Sequence, residues 1–214
     1  MFWLTGAAIL AGYLLGSFPT AYLAGRFITP TGTDITSFGD GNAGAANVGR
    51  LLGARWGIII AAVDIAKGVA AVFAETVDRV SAAPGMLAGA AALVGHVWPV
   101  WTRFRGGRGA ATAAGVMSAI LSWPVLIMFA PTMAILYLTR STTAALAFAY
   151  LSTVAVAKVI FGVSWGPISY CLALFVAVGL IHLWSVLCRA RPSGATVASG
   201  QAAHRQEKPR ALTR

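Results

Sequence analysis

Charge is what this chain has least of: Asp, Glu, Lys and Arg together make up 10% of its 214 residues, while hydrophobic residues make up 58%. A soluble globular domain carries roughly a quarter charged residues, so that class is excluded, and the mean hydropathy of +0.77 places the chain in lipid. Cysteine is nearly absent too. Cys171 and Cys188 sit 17 residues apart in one apolar stretch, about 25 Å along a helix, which excludes a disulfide between them. No long polar stretch precedes residue 189, so chemistry is confined to short loops and helix ends. No Lys or Arg precedes the first apolar run, and that run is long enough to span; residues 1–25 therefore read as a retained helix and not a cleaved secretion signal. The net charge of +10 is not gathered on any soluble module. Anionic lipid or a phosphate-bearing substrate is thus a better partner than nucleic acid.

Apolar runs cover about 3–25, 56–75, 85–102, 109–139, 143–161 and 166–188. The fourth contains Ser122-Trp123-Pro124 and Pro131, so it is one kinked helix or two short ones. Charge arbitrates. With the amino terminus outside and the fourth run split, every cation except Arg79 and the intra-helical Lys67 and Lys158 faces the cytoplasm. The expectation is an all-α, polytopic bundle of about seven transmembrane helices over residues 1–188, followed by a basic, disordered cytoplasmic tail over 189–214. Trp56, Trp98, Trp101, Trp123, Trp165 and Trp184 fall near run ends, as interfacial aromatics do.

Three polar constellations interrupt this pattern. From Thr33 to Gly57 the chain reads TDITSFGDGNAGAANVGRLLGARWG, where Gly39, Gly41 and Gly44 space backbone amides so that they can converge on an anion. Asn42 and Asn47 add neutral donors there, and Arg50 and Arg55 add charge; the plain alternative is a flexible loop with ordinary turns. In the second run, DIAKG puts Asp64 and Lys67 three residues apart on one helical face. Intramembrane charges are costly, so the pair marks a polar cavity or a neutralising helix contact. From Gly95 to Gly115, GHVWPVWTRFRGGRGAATAAG carries His96, then Arg103, Arg105 and Arg108 around Gly106, Gly107 and Gly109, at the start of the next helix. Three guanidiniums about a glycine turn form a phosphate clamp, or else anchor the topology. His96 is a base, a phosphate ligand or a hydrogen-bonded structural residue, and His182 has the same standing.

These segments together resemble the bacterial acyl-phosphate:glycerol-3-phosphate acyltransferases, polytopic enzymes that begin phospholipid synthesis. The resemblance rests on GSFPTAYLAGR at 16–26, DGNAGAANVGRLLG at 40–53, DIAKG at 64–68 and GHVWPVWTRFRGGRGAAT at 95–112, in the family's order. It implies a seven-helix fold in the bacterial inner membrane, with motifs facing the cytoplasm. The implied reaction moves an acyl group from an acyl phosphate to the 1-hydroxyl of glycerol 3-phosphate, with no metal or other cofactor and no obligate protein partner. Gly41, Asn42, Gly44 and Asn47 would cradle the acyl phosphate, and Lys67, Arg105 and Arg108 would hold phosphate oxygens. Arg50, Asp64, Arg103, Gly106, Gly107, Thr112 and His182 complete the substrate site, and His96, Arg108 and Lys67 are the catalytic candidates.

The chain departs from the family pattern in places. Asp40 stands where the pattern has serine, a carboxylate that repels phosphate unless paired with arginine or protonated. Ala46 replaces a threonine, Arg108 replaces the lysine of GGKG, and the last motif has only partial counterparts at His182 and His204. A homologue with another acceptor or no activity, and a small transporter, are the alternatives. Coenzyme A-dependent acyltransferases fit less well because no histidine is followed by the His-x4-Asp spacing, and six carboxylates are few for a metal-dependent phosphatidyltransferase.

Overall fold

The computed structural model of the chain describes residues 2–29, 32–74 and 83–190. Among them are nine α-helices: α1 (Phe2–Ser17), α2 (Thr20–Ile28), α3 (Ala45–Leu52), α4 (Ala54–Phe73), α5 (Ala83–Val97), α6 (Ala110–Ile120), α7 (Ser122–Thr139), α8 (Thr142–Val159) and α9 (Trp165–Ala190). Six stretches are long and apolar enough to cross a membrane, and α6 is a shorter apolar helix. The protein is an integral, multi-pass membrane protein. Arg79 and the tail from residue 191, with His204 and the expected tail disorder, lie outside the described residues.

The fourth apolar run is two helices. Leu121 leaves helical geometry (φ −118°, ψ 50°) and α7 restarts at Ser122 with Pro124 in its first turn, where a missing N–H costs nothing. Pro131, by contrast, is carried inside α7. The 11 residues of α6 reach about 16 Å, roughly half the hydrocarbon thickness, so α6 alone is too short for a full crossing. The first run also differs from expectation. It breaks at Phe18-Pro19 into α1 and α2, because proline cannot donate the amide that would continue the ladder. At the break the Phe18 carbonyl accepts from the nearby Thr20 N–H, at 3.0 Å, and keeps a second lone pair for a side-chain donor.

Residues 1–178 form one compact unit, whose centre is α1, α4, α5 and α6. Lipid offers no hydrophobic drive between helices, so close backbone approach and dispersion must hold them together. Gly12 and Gly16, four residues apart on α1, seat against the Ala88 and Ala92 carbonyls of α5, where a Cβ would overlap them. Gly68 of α4 and Gly115 of α6 make the same approach to the Thr112 and Ile65 carbonyls. We expect Gly12→Val to lower thermal stability in detergent by about 1–3 kcal/mol through overpacking, while Gly6→Val, at a position with nothing within 4 Å, has little effect; equal melting shifts would contradict this packing. Tyr170 Oη donates to the Met86 carbonyl at 2.6 Å, tying α9 to α5. The second unit begins at Gly179; its described part is the end of α9, with Leu180, Leu183, Trp184 and Leu187 exposed.

Candidate active site

The Pro19 break is the starting point. Lys67 Nζ, on α4, donates to the Phe18 carbonyl at 2.8 Å, pairs with Asp64 Oδ1 at 2.8 Å and lies 3.4 Å from Thr20 Oγ1. Thr20 Oγ1 in turn donates to Asp64 Oδ1 at 2.7 Å. Asp64 and Lys67 are only 1% and 5% exposed. Two charges can be kept at this depth because they neutralise each other and their remaining capacity is met by hydrogen bonds. Lys67, expected at phosphate oxygens, instead has its ammonium donors committed within the protein. The three-residue spacing made the pair legible, whereas the ammonium's backbone partner lies 49 residues away.

His96, near the end of α5, joins this cluster from the other side. Its Nδ1 lies 3.8 Å from Asp64 Oδ1. A Cβ on Gly107 would overlap its Nε2, so the two ring nitrogens face a buried carboxylate and the glycine turn respectively. The turn folds back onto α5, with Gly107 N–H donating to the His96 carbonyl at 3.1 Å. Arg103 and Phe104 adopt left-handed backbone (φ 54° and 61°), which reverses the chain within a few residues. A small, partly open cleft lies here, lined by Gly16 to Tyr22, Ala43, His96, Pro99, Gly106 and Gly107.

The expected loop over 33–57 is more ordered than its glycines suggest. Asp34 caps a short turn by accepting from Thr36 N at 2.9 Å, and Gly39 and Gly41 take positive φ (57° and 59°) that L side chains rarely adopt. Residues 45–52 are not loop but α3. Asn47, expected to cradle substrate, is fully buried in α3, and its Nδ2 donates to the Ile35 and Phe38 carbonyls at 3.0 and 2.8 Å. It braces the loop and does not line the cleft.

Asp40 projects from this loop between two arginines. Its Oδ1 is 3.2 Å from Arg50 of α3, and its Oδ2 is 3.0 Å from Arg108, just before α6. The repulsion expected between this carboxylate and a phosphate is thus answered by pairing. The two glycine-bearing segments meet directly: an added Cβ on Gly107 would also lie 2.8 Å from the Ala43 carbonyl, and Tyr22 Oη donates to the Arg105 carbonyl at 2.8 Å.

The structure therefore brings together Gly106, Gly107 and His96 at the cleft, with Arg50 and Arg108 on Asp40 beside it and Asp64 and Lys67 behind. Gly41 and Asn42 are half-buried and Gly44 is buried ahead of α3. Arg103 and Arg105 are exposed, with no ion pair among the described residues. Thr112 is fully buried where α6 meets α4, apart from the cleft lining, because the α4 contact takes up that face of α6. His182 lies in the second unit, where its carbonyl accepts from Ser185 Oγ at 2.7 Å. Thr20, the Phe18 carbonyl and Tyr22 are additions that the sequence reading did not single out; a proline within an apolar run was the signal for the first two.

A family model described as glycerol-3-phosphate acyltransferase matches residues 6–192. The chain is 43% identical over 174 residues to glycerol-3-phosphate acyltransferase 4 of Dehalococcoides mccartyi, covering 81% of this chain and 92% of that relative. It is 38% identical over 186 residues to the glycerol-3-phosphate acyltransferase of Parasynechococcus marenigrum, covering 85% and 82%. Among solved structures it resembles PlsY, an integral membrane glycerol 3-phosphate acyltransferase, in its glycerol 3-phosphate form. The TM-score is 0.75 at 26% identity, covering 85% of this chain and 90% of that one. The lysophosphatidic acid form gives a TM-score of 0.70.

Proposed function

Since the chain belongs to the glycerol-3-phosphate acyltransferase family, we propose that it acylates the 1-hydroxyl of glycerol 3-phosphate from an acyl phosphate, releasing lysophosphatidate and inorganic phosphate. The hydroxyl oxygen bonds to the acyl carbonyl carbon, the bond from that carbon to the phosphate oxygen breaks, and phosphate leaves with the electron pair. The observation that carries this reading is the meeting of Arg50 and Arg108, from two separate segments, on one anionic group beside a cleft bounded by His96 and the Gly106-Gly107 turn.

Each part has a chemical task. Two anionic substrates must be held together, and charge on the leaving phosphate must be stabilised. Arg50 and Arg108 hold phosphoryl oxygens through fork-shaped donors, while the Gly41, Gly44 and Gly107 amides, expected to converge on an anion, donate to the Phe38, Asn42 and His96 carbonyls and hold the two turns in shape. His96 Nε2, on the glycine-turn side, accepts the hydroxyl proton, unless the leaving phosphate takes it directly. Asp64 behind the ring, its Oδ1 3.8 Å from Nδ1, stabilises the imidazolium by its charge. Lys67 holds Asp64 and the Phe18 carbonyl and is a positioning residue. The charge distribution supports a bacterial inner-membrane protein with the amino terminus outside and both arginine-bearing segments cytoplasmic.

The test is purified protein in nanodiscs with palmitoyl phosphate and labelled glycerol 3-phosphate. Lysophosphatidate and inorganic phosphate are expected in equal amounts. No product from acyl phosphate, or solute flux in proteoliposomes without product, would overturn the reading.

A further inference from the structure

Asp40 is unusual for a group beside a phosphate site: it brings negative charge to the place where negative charge must bind. Its two oxygens are divided, Oδ1 to Arg50 at 3.2 Å and Oδ2 to Arg108 at 3.0 Å. A planar carboxylate between two guanidiniums mimics two oxygens of a phosphoryl group. The carboxylate is 29% exposed, Arg108 18% and Arg50 55%, so the triplet is open to solvent, and ion pairs of this kind are individually weak. Asp40 precedes α3 and Arg50 lies in the last turn of that helix, while Arg108 follows the Gly106-Gly107 turn. The carboxylate therefore joins two separate segments through contacts that a stronger anion can replace.

We propose that Asp40 sets the phosphate affinity of this site by acting as an internal competitor: its carboxylate occupies Arg50 and Arg108 when no substrate is bound and is displaced by the incoming phosphoryl group. This rests on the proposed function for the identity of the substrate, but not for the competition itself. Three consequences follow. The empty site carries a net charge one unit less positive than the two arginines alone. Phosphate binds more weakly than a two-arginine clamp would allow, and the phosphate released after acyl transfer is expelled by the returning carboxylate. Asp40 thereby trades substrate affinity for product release.

The experiment measures binding of inorganic phosphate to the full-length protein in detergent, by calorimetry, for wild type, Asp40→Asn and Asp40→Ser, with KM and kcat for glycerol 3-phosphate alongside. Removing the competitor should tighten phosphate binding by roughly three- to tenfold in both variants, the range that one or two partly exposed ion pairs support. KM for glycerol 3-phosphate should fall, and kcat should fall with it if phosphate release limits turnover. In an Arg50→Met background the gain should shrink without vanishing, because competition at that arginine is lost while competition at Arg108 remains. Asp40→Glu keeps the charge and should stay near wild type, which also serves should a neutral variant fail to fold: a wild-type-like Asp40→Glu beside a tighter Asp40→Ser still supports competition. Phosphate binding that is unchanged or weaker in folded Asp40→Asn and Asp40→Ser would overturn the proposal and make Asp40 an organiser of the arginines. Because phosphate binding needs no acyl donor, a wild type that makes no lysophosphatidate, beside Asp40 variants that show the gain, defeats the acyltransferase reading alone. Catalysis without the gain defeats the competition alone.

Discussion

Arg108→Ala is expected to lower kcat/KM for acyl transfer by about 10²–10³-fold, the loss seen when one preorganised donor to a developing oxyanion is removed. Arg108 is the better-buried of the two arginines on Asp40, and desolvation strengthens its hold on an anion. It also stands immediately before the left-handed Gly109 (φ 80°) that starts α6, so its backbone position is fixed by the turn. Arg108→Lys keeps the charge but gives up the planar fork, and its activity should fall between those of wild type and alanine. The Asp40 pair is partly exposed and contributes about 1 kcal/mol or less, so its loss lowers the melting temperature by about 2–4 °C at most. A large drop in melting temperature with a small effect on kcat/KM would mean that Arg108 is a structural strut.

The second large effect is on stability. Asp64→Ala strands the Lys67 ammonium in a site where it is 5% exposed, and an uncompensated buried charge costs about 3–5 kcal/mol. It also removes the acceptor of the Thr20 hydroxyl at 2.7 Å. Replacing both charges, in Asp64→Leu with Lys67→Met, removes the penalty at its source, and such a double replacement is often near neutral. Its melting temperature should therefore recover most of the loss of Asp64→Ala. Activity should not recover, because His96 then faces no carboxylate. Simple additivity of the single-variant melting shifts would show that the two charges do not depend on each other.

The membrane helices were legible because apolar runs of about 20 residues have few other uses. The split at Ser122-Trp123-Pro124 followed from charge placement and proline chemistry together. Position 19 was not read the same way: a single proline within a long apolar run is compatible with a kink, and it is the non-helical Pro19 backbone (ψ 61°) that makes it a break whose Phe18 carbonyl Lys67 uses. The segment 45–52 was read as loop because the glycines around it, Gly39, Gly41, Gly44 and Gly53, dominated the stretch; its Ala, Arg and Leu residues favour helix, and Asn47 anchors that helix on the Ile35 and Phe38 carbonyls. Asp64 and Lys67 were legible as a pair, since i,i+3 spacing brings them together. Which of them would reach substrate was not, because the partners that occupy Lys67 come from α1 and α2. Asp40 shows the same limit: its charge stood out in the sequence, but its two arginines belong to segments that meet only in the folded chain.

The decisive measurement is an experimental structure of the full-length protein with glycerol 3-phosphate bound. The phosphoryl group is expected within hydrogen-bonding distance of both Arg50 and Arg108, with the Asp40 carboxylate moved away from them and the glycerol hydroxyls toward the cleft at His96. A phosphoryl group that touches only one of those arginines, or lies outside the region where residues 40–50 and 105–108 meet, would contradict a single shared phosphate site.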